Sequence, residues 1–226
     1  MAKKSKRAWD VSNERALQLF LDAVYREVGF DFRRVDAKEL QLKGIDIIIR
    51  HGIGEYPIDE KGQTQWVNKG LKTFAFELEF KSAADELRPG WLFDGEKVTT
   101  HYFLVYDIRS SSSNVSDLVS FRLVSVNREY LIAFLENKGW GNRFLTEDVP
   151  MLMGDRKYHI LSKSDPAVKV VRTRHLVEEP LNVVIQLNDL IEAGVAKELV
   201  PGKKGMEFWK RIFLRVSNTG KSGVAG

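Results

Sequence analysis

Two aspartates and a lysine lie at positions where a tight hairpin would bring their side chains together: Asp46, Asp59 and Lys61. Two carboxylates at close range repel each other, and burying either of them without a partner is costly. A divalent cation removes this conflict, and Mg²⁺ commonly binds one or two protein carboxylates together with water and phosphate oxygens. A lysine beside the cation can orient or deprotonate a water molecule for attack on phosphorus. The three residues therefore predict Mg²⁺-dependent hydrolysis of phosphodiester bonds, with Mn²⁺ as an alternative ion.

The elements that must position these side chains are two strands joined by a turn. Apolar residues alternate along residues 45–49 and again along residues 56–61, which is the period of a strand. Between them, His51-Gly52-Ile53-Gly54 supplies two glycines, which tolerate the positive φ angles of tight turns. A turn centred there places Asp46 directly opposite Asp59, with the two Cβ atoms about 5 Å apart and the following lysine on the same face.

At these residues the sequence resembles the PD-(D/E)xK nuclease superfamily, which includes restriction endonucleases and archaeal-type Holliday-junction resolvases. The family motif is an aspartate on a hydrophobic strand, followed by acid-x-lysine at the end of a second strand. Here the two parts of the motif are Gly44-Ile45-Asp46 and Asp59-Glu60-Lys61. Ile45 stands where the motif's name has a proline.

The resemblance extends to the first helix. Resolvase-like members carry a glutamate in the first turn of an N-terminal helix that later runs into Gly-Phe, and Glu14 with Gly29-Phe30 fits this pattern. Over residues 10–106, the resemblance implies an α/β restriction-endonuclease-like core, in which a central mixed β-sheet is flanked by helices. It also implies that Asp46 and Asp59 bind the metal, that Lys61 positions or activates water, and that Glu14 assists. The structural alternative for Glu14 is that it complements the helix dipole.

A second acid-x-lysine triplet, Glu79-Phe80-Lys81, lies on a predicted strand nearby. The period-two pattern of this strand places Glu77, Glu79 and Lys81 on one face. The first triplet is preferred because it is in hairpin register with Asp46, whereas the second needs a neighbouring strand in an unknown register. Glu77 and Glu79 could border the site or simply form a solvated face.

Positive charge is concentrated toward the C-terminus. Residues 151–226 contain 13 Lys and Arg against eight Asp and Glu, whereas the net charge of the whole chain is +4. A basic segment beside an acidic, metal-binding core suits a nucleic-acid ligand, most simply DNA. A solvated basic face accounts for the charge equally well.

Two groups of residues are candidates for substrate contacts. Gln63 follows the first triplet and could contact the substrate or hold the lysine in place. A C-terminal group of cations surrounds Phe208 and Trp209, and aromatic rings among cations can stack bases and bind phosphates. The more common origin of such a pattern is an amphipathic packing face. These cations are Lys203, Lys204, Lys210 and Arg211.

Local patterns predict the other elements. A helix is expected over residues 12–28 with Ser12 or Asn13 as its cap, and a strand within residues 32–42. Further predicted elements are strands at 73–81, 99–108 and 118–124, a helix at about 128–138 capped by Ser125 or Asn127, and a helical piece within 182–199.

Length and composition indicate a globular chain with a packed core, since 43% of the 226 residues are hydrophobic and 11% are aromatic. A serine-rich stretch at residues 110–114 is the clearest candidate for a flexible connection. The expected organisation is a basic N-terminal arm, a nuclease-like core, an α+β extension packed on the core, and a disordered tail, at residues 1–9, 10–109, 115–216 and 217–226.

The amino-acid composition argues against several other kinds of site and classes of protein. The chain has no cysteine, which excludes disulfides and zinc–thiolate sites and is compatible with a reducing cytosol. The N-terminal residues lack an apolar signal region, and no run approaches 18 apolar residues, so we expect a cytoplasmic protein without a membrane partner. A homodimer is possible. Two alternatives to a nuclease stay open: a non-catalytic nucleic-acid-binding protein, and an interaction protein whose acids are surface charges.

Overall fold

The computed structural model describes residues 7–200 and 206–219, and within them eleven strands form two β-sheets. The strands are β1 (Asp31–Arg34), β2 (Ile47–His51), β3 (Gly54–Gly62), β4 (Thr73–Lys81), β5 (Leu87–Pro89), β6 (His101–Ser110), β7 (Leu118–Asn127), β8 (Tyr158–Ile160), β9 (Lys169–Arg172), β10 (Leu181–Gln186) and β11 (Ala196–Val200). The helices are α1 (Arg7–Glu27), α2 (Lys38–Leu42), α3 (Arg128–Asn137), α4 (Val149–Met153), α5 (Leu187–Glu192) and α6 (Met206–Thr219), with a π-helical segment at Phe144–Asp148.

The first sheet has six strands in the order β1-β2-β3-β6-β7-β11. It is mixed, because β3 and β6 run parallel while every other neighbouring pair in it is antiparallel. The hairpin formed by β2 and β3 therefore lies inside the sheet. This arrangement confirms the α/β class with a mixed central sheet flanked by helices.

The hairpin has the predicted register. Ile47 pairs with Ile58, and Arg50 pairs with Glu55, across a turn that contains Gly52 at φ 61°. One residue before β2, the Asp46 N–H donates to the Ile58 carbonyl at 2.9 Å. The alternation of the isoleucines and the glycine turn were therefore sufficient to define which residues face each other.

The second sheet is antiparallel and has five strands in the order β5-β4-β10-β9-β8. The strand that carries the second acid-x-lysine triplet, β4, belongs to this sheet and pairs with β10, more than 100 residues further along the chain. The two triplets therefore lie in different sheets.

Two hydrophobic clusters hold the layers together. On one face of the first sheet, α1 and α6 pack over buried side chains that include Tyr25, Ile47, Phe103 and Trp209. The opposite face packs against the second sheet, α3 and α4 through Tyr102, Leu104, Phe76, Val183 and Leu131. Successive residues of β6 point to opposite faces, so Tyr102 and Phe103 belong to different clusters.

The first helix begins five residues earlier than predicted, at Arg7, so Ser12 and Asn13 are helical residues and not caps. No glycine or proline interrupts the chain before Gly29, and the helix-forming residues ahead of Ser12 extend the helix. The last three residues of the expected basic arm are thus helical. Residues 1–6 lie outside the described part of the chain.

Other boundaries also differ from expectation. The expected strand within residues 32–42 is the short strand β1 followed by α2, because residues 38–42 are strong helix formers. The helix α6 continues to Thr219, so the first three residues of the expected tail are helical, and residues 220–226 lie outside the described part. The cap of α3 is Asn127, whose side chain accepts a hydrogen bond from the Tyr130 N–H at 3.0 Å, as one of the two predicted alternatives.

The serine-rich stretch does not separate two sheets. The strands β7 and β11 complete the first sheet, and β8 to β10 complete the second, so both sheets contain strands from both sides of residues 110–114. The stretch itself is held by hydrogen bonds, among them Ser110 Oγ to the Asn114 carbonyl at 2.7 Å and Asn68 Nδ2 to the Ser112 carbonyl at 3.1 Å.

None of the helices in the described part of the chain combines the length and the apolar character needed to cross a membrane.

Candidate functional site

The site lies on the face of the first sheet that looks toward the second sheet. Asp59 pairs with Tyr102, and Lys61 pairs with Leu104, in the parallel β3–β6 ladder. Directly paired residues share a face, so Asp59 and Lys61 point to the side of the sheet where Tyr102 and Leu104 pack. The hairpin register places Asp46 on this same side, as the sequence predicted.

The three side chains interact directly. The Lys61 ammonium donates a hydrogen bond to Asp59 Oδ1 and forms an ion pair with it. Asp46 Oδ2 accepts a hydrogen bond from the Glu60 N–H at 2.7 Å, which fixes the orientation of that carboxylate. The carboxylates of Asp46 and Asp59 also interact with each other. Two acids and one amine thus form a single cluster at the end of the hairpin.

The carboxyl group of Asp59 is only 3% exposed, and its electrostatics reflect that burial. Burial, together with the adjacent Asp46 carboxylate, raises the pKa of Asp59 to about 7 against the opposing effect of the Lys61 ammonium. Near neutral pH this carboxyl is therefore balanced between its protonated and ionised forms. The like-charge conflict inferred from the sequence is present in the folded protein.

Lys61 stays protonated in this cluster. Burial alone lowers the pKa of Lys61, but the carboxylates of Asp59 and Asp46 outweigh that effect and raise the pKa above its ordinary value. Its ammonium also lies 5.7 Å from the centroid of the Trp91 ring, within the range of a cation–π contact. In this state Lys61 is a hydrogen-bond donor and not a base.

The cluster opens into a cleft of about 580 Å³. Its wall contains more acids than cations, which makes it suited to a cation and poorly suited to an uncompensated polyanion. The charged residues of the lining are the carboxylates Asp46, Asp59, Glu77, Asp94 and Glu96 and the cations Lys61, Arg88 and Lys97.

The second sheet contributes Glu77 to this cleft. Burial raises the pKa of Glu77, whereas the Lys61 ammonium, a hydrogen bond from the Trp91 N–H and the Lys97 charge oppose the shift. The site is therefore composite, with two acids from the hairpin and one from β4. Glu77 had been predicted only as part of the rival triplet or as a border residue.

Glu79 and Lys81, the charged residues of the rival triplet, do not line the cleft. Glu79 is buried and bonded to Arg172 at 2.6 Å, and the β-bulge between Leu181 and Asn182 in the β4–β10 pairing turns it toward that partner. Lys81 forms ion pairs with Asp85 at 3.1 Å and with Glu179 at 3.5 Å. Both side chains have structural partners of opposite charge, away from Asp46.

A close approach at Gly90 shapes the wall opposite the lysine. A Cβ atom at this position would lie 2.5 Å from the Glu77 carbonyl oxygen, so only glycine allows the segment after β5 to pack against β4. The next residue, Trp91, then packs edge-to-face against Tyr102 with ring centroids 4.6 Å apart and faces Lys61. Sequence reasoning missed Trp91, Asp94 and Lys97, although Pro89-Gly90-Trp91 marked the segment as irregular.

The donor set fits a magnesium ion that keeps water ligands. Within residues 7–200 and 206–219, no three His, Cys, Asp or Glu side chains stand together as a ready-made metal-binding group. Mg²⁺ usually takes only one or two protein carboxylates, alongside water and substrate oxygens, and Asp46 with Asp59 provides such a pair. The repulsion between these two carboxylates is the observation that favours a cation between them.

Glu14 lies elsewhere in the structure. It is an exposed residue of α1 and does not line the cleft. The helix packs on the opposite face of the first sheet, where the Tyr25 hydroxyl donates to Glu60 Oε1 at 2.6 Å. A catalytic role for Glu14 stays a prediction that the geometry does not favour.

Gln63, Lys210 and Arg211, the described residues among those proposed to contact substrate, do not line the cleft. The Gln63 amide donates to the Thr73 carbonyl at 2.7 Å and links the end of β3 to the start of β4. On α6, Lys210 pairs with Glu207 at 2.8 Å, and Arg211 pairs with Glu27 of α1 at 2.6 Å. Lys203 and Lys204 lie outside the described residues. Phe208 and Trp209 are buried against the first sheet, which agrees with the packing interpretation of this segment.

Comparisons with protein-family models, with curated proteins and with solved structures found no match for this chain.

Proposed function

We propose that the protein is a Mg²⁺-dependent nuclease that hydrolyses phosphodiester bonds, with DNA as its substrate and the cytoplasm as its place of action. One observation carries the proposal: Asp46, Asp59 and Lys61 converge on one sheet face at the bottom of an open cleft. A restriction-endonuclease-like core is part of the proposal. It is supported by the order of an N-terminal helix followed by a mixed sheet that contains the aspartate–acid-x-lysine hairpin.

In this proposal Asp46 and Asp59 hold the ion, with water and a phosphate oxygen completing its shell. When bound, Mg²⁺ supplies neutralisation of the charge that develops on the phosphate oxygens. The Glu60 N–H keeps Asp46 oriented, so the carboxylate does not have to reorganise. Lys61, already protonated, donates a hydrogen bond that orients the attacking water or the scissile phosphate. We therefore assign Lys61 a positioning role in place of the general-base alternative.

A second candidate is a nucleic-acid-binding protein without catalysis. The ion pair between Lys61 and Asp59 favours it, because the pair compensates the buried carboxylate without any metal. In that case the cleft binds no metal, and the two acids contribute only to the stability of the fold. Divalent-ion binding separates the two candidates.

The deciding experiment incubates the protein with plasmid, single-stranded and branched DNA in the presence of Mg²⁺, Mn²⁺ or EDTA. The nuclease proposal expects cleavage of at least one substrate with either metal and none with EDTA. Asp59→Asn should abolish cleavage, whereas the matched variant Asp155→Asn, at a fully exposed position, should cleave like the parent. Binding of DNA without cleavage and without Mn²⁺ affinity would establish the second candidate.

A further inference from the structure

The acidic cleft cannot by itself hold the rest of a nucleic-acid chain. Carboxylates outnumber cations in its lining, so phosphates beyond the one at the metal are repelled there. The C-terminal cations on α6 do not solve this problem. That helix packs with α1 on the opposite face of the first sheet, and Arg211 is engaged by Glu27. The surface that grips the substrate must therefore lie beside the cleft, on the side of the second sheet.

The second sheet has one face that is only partly covered: the segment after β5 packs on it at Glu77, whereas Ala75, Tyr158 and Ile160 are exposed. Its register aligns two rows of side chains across four strands, from β4 to β8. The first row is Glu77, Asn182, Val171 and Tyr158, and the second is Ala75, Val184, Lys169 and Ile160. Of these eight residues, three are exposed and five are partly buried, whereas Phe76, Val170, Val183 and Ile185, which alternate with them, are in the core. We call these two rows the open face.

The open face leads directly into the cleft. Glu77 belongs both to the first row and to the cleft lining, and Phe80 and Arg88, which pair with each other, line the cleft at the same edge. From Glu77, three strand spacings lead to Tyr158, which is a distance of roughly 14 Å. The register thus connects Tyr158 to Glu77, and Glu77 shares the lining of the cleft with Trp91 and Lys61.

The far edge of the open face has the chemistry of a nucleic-acid contact. Tyr158 is 51% exposed, and the Lys169 ammonium lies 5.4 Å from the centroid of its ring. An exposed ring beside a cation can stack an unpaired base while the cation contacts the phosphate. The segment from Asp155 to His175, which carries both residues, contains six Lys and Arg and two Asp. Arg172 and Arg174 are engaged by Glu79 and Asp155, but the other four cations of the segment still outnumber its other acid, Asp165, so its charge is opposite to that of a phosphate backbone.

We propose that the open face binds a single-stranded segment of nucleic acid and leads it into the cleft, with a base stacked on Tyr158 and a phosphate bound by Lys169. The inference rests on the proposed function only in identifying the occupant as nucleic acid. A single strand is specified because a ring on a sheet face can stack only on a base that is not enclosed in a duplex.

The test measures the affinity of a dye-labelled single strand of about 15 nucleotides by fluorescence anisotropy in EDTA, where no cleavage occurs. Tyr158→Ala should weaken binding roughly 5- to 150-fold, the range expected from the loss of one stacked base. Tyr158→Phe should bind like the parent and Tyr158→Leu should not, which separates stacking from apolar burial. Lys169→Ala should weaken binding and reduce the slope of log affinity against log salt by about 0.7.

Matched controls are available elsewhere on the surface. Tyr130→Ala removes an equally exposed tyrosine from α3, and Lys197→Ala removes an exposed lysine from the edge strand of the other sheet. Both should bind like the parent. Photo-cross-linking with an iodouracil-containing strand, followed by peptide mapping, should recover the peptide that contains Tyr158.

The outcomes distinguish this inference from the proposed function. Tyr158-dependent binding in a protein that cleaves nothing supports the open face and overturns the nuclease. Cleavage by the parent with affinity unchanged in Tyr158→Ala and Lys169→Ala overturns the open face alone. If Tyr158→Ala instead converts a dimer into a monomer in sedimentation, without any effect on nucleic-acid affinity, the open face is an interface between two copies and the inference is overturned.

Discussion

In the proposed function, Asp59 binds the ion and Lys61 positions the reacting groups. Substituting each residue in turn should distinguish these two roles. Asp59→Asn removes a charge from the ion-binding pair, so we expect Mn²⁺ affinity and cleavage both to be lost. Lys61→Ala leaves both carboxylates in place, so Mn²⁺ should still bind while the cleavage rate falls by roughly 10²- to 10³-fold, as expected for the loss of one oriented hydrogen-bond donor. The measurement pairs calorimetric Mn²⁺ titration with single-turnover cleavage. If both variants cleave at the rate of the parent, the hairpin is not part of the active site.

The raised pKa of Asp59 makes stability depend on pH. In the folded protein this pKa is about 7, whereas a carboxyl in an unfolded chain titrates at about 4. Between these values the folded protein holds a proton that the unfolded chain has lost, so the free energy of unfolding should fall as pH rises. The contribution of Asp59 is at most about 1.4 kcal/mol per pH unit in this window.

Urea unfolding at several pH values between about 4 and about 8 checks this expectation. Asp59→Asn should reduce the slope without abolishing it, because burial also raises the pKa values of Glu60 and Glu77. Equal slopes in the parent and the variant would mean that the Asp59 carboxyl does not carry the extra proton.

At the scale of elements, Glu60, the middle residue of the Asp59-Glu60-Lys61 triplet, anchors the hairpin to the first helix. The Tyr25 hydroxyl donates to one Glu60 oxygen at 2.6 Å, and Arg34 binds the other oxygen while also pairing with Asp22. This network lies on the face of the sheet opposite to the cluster of Asp46, Asp59 and Lys61. The network therefore connects β3 to α1 and β1.

Loss of this network should lower stability and leave the ion site intact. Tyr25→Phe removes one buried hydrogen bond and should lower the free energy of unfolding by about 1–3 kcal/mol. Arg34→Met leaves the Glu60 carboxylate without its cation and should cost about 3–5 kcal/mol. Urea unfolding measures both, with Tyr130→Phe at an exposed site as the control. The prediction would be contradicted if Tyr25→Phe lowered the Mn²⁺ affinity measured by calorimetry without lowering the free energy of unfolding.

The elements that sequence predicted well are those with local causes. The β2–β3 register follows from a glycine turn and alternating isoleucines, and the start of α3 follows from an asparagine cap. The start of α1 was missed because Ser12 and Asn13 resemble caps but are preceded by residues that also favour helix. Local patterns thus predict an element more reliably than they predict where it ends.

At the scale of the whole molecule, the two sheets are interleaved along the chain. Each contains strands from before and after residues 110–114, so neither half has a complete core. We expect residues 1–112 and residues 113–226, produced separately, to remain unfolded by circular dichroism. A protease site inserted after Ser113 should be cleavable in the intact protein, and the two pieces should then stay associated in size-exclusion chromatography. A folded isolated half would contradict this expectation.

The same interleaving explains what the sequence could not predict about the site. Glu77 reaches the cleft because β4 pairs with β10, and that register includes a bulge between Leu181 and Asn182. Pairing between segments that are more than 100 residues apart leaves no local pattern. The hairpin half of the cluster was therefore predictable, whereas the wall formed by Glu77 and Trp91 was not.

The single parallel ladder of the first sheet has a consequence for the order of folding. The β2–β3 hairpin closes over a two-residue turn, but β3 can pair with β6 only after the chain from Gln63 to Thr100 has returned. Because closing a long loop costs more entropy than closing a hairpin, Asp46 and Asp59 meet while water still surrounds them. We therefore expect Asp59 to lose that water only when Tyr102 pairs beside it, after the rate-limiting step of folding. The effect of pH on stability should then appear in the unfolding rate and leave the folding rate nearly constant, which chevron plots at pH values on either side of the Asp59 transition would show.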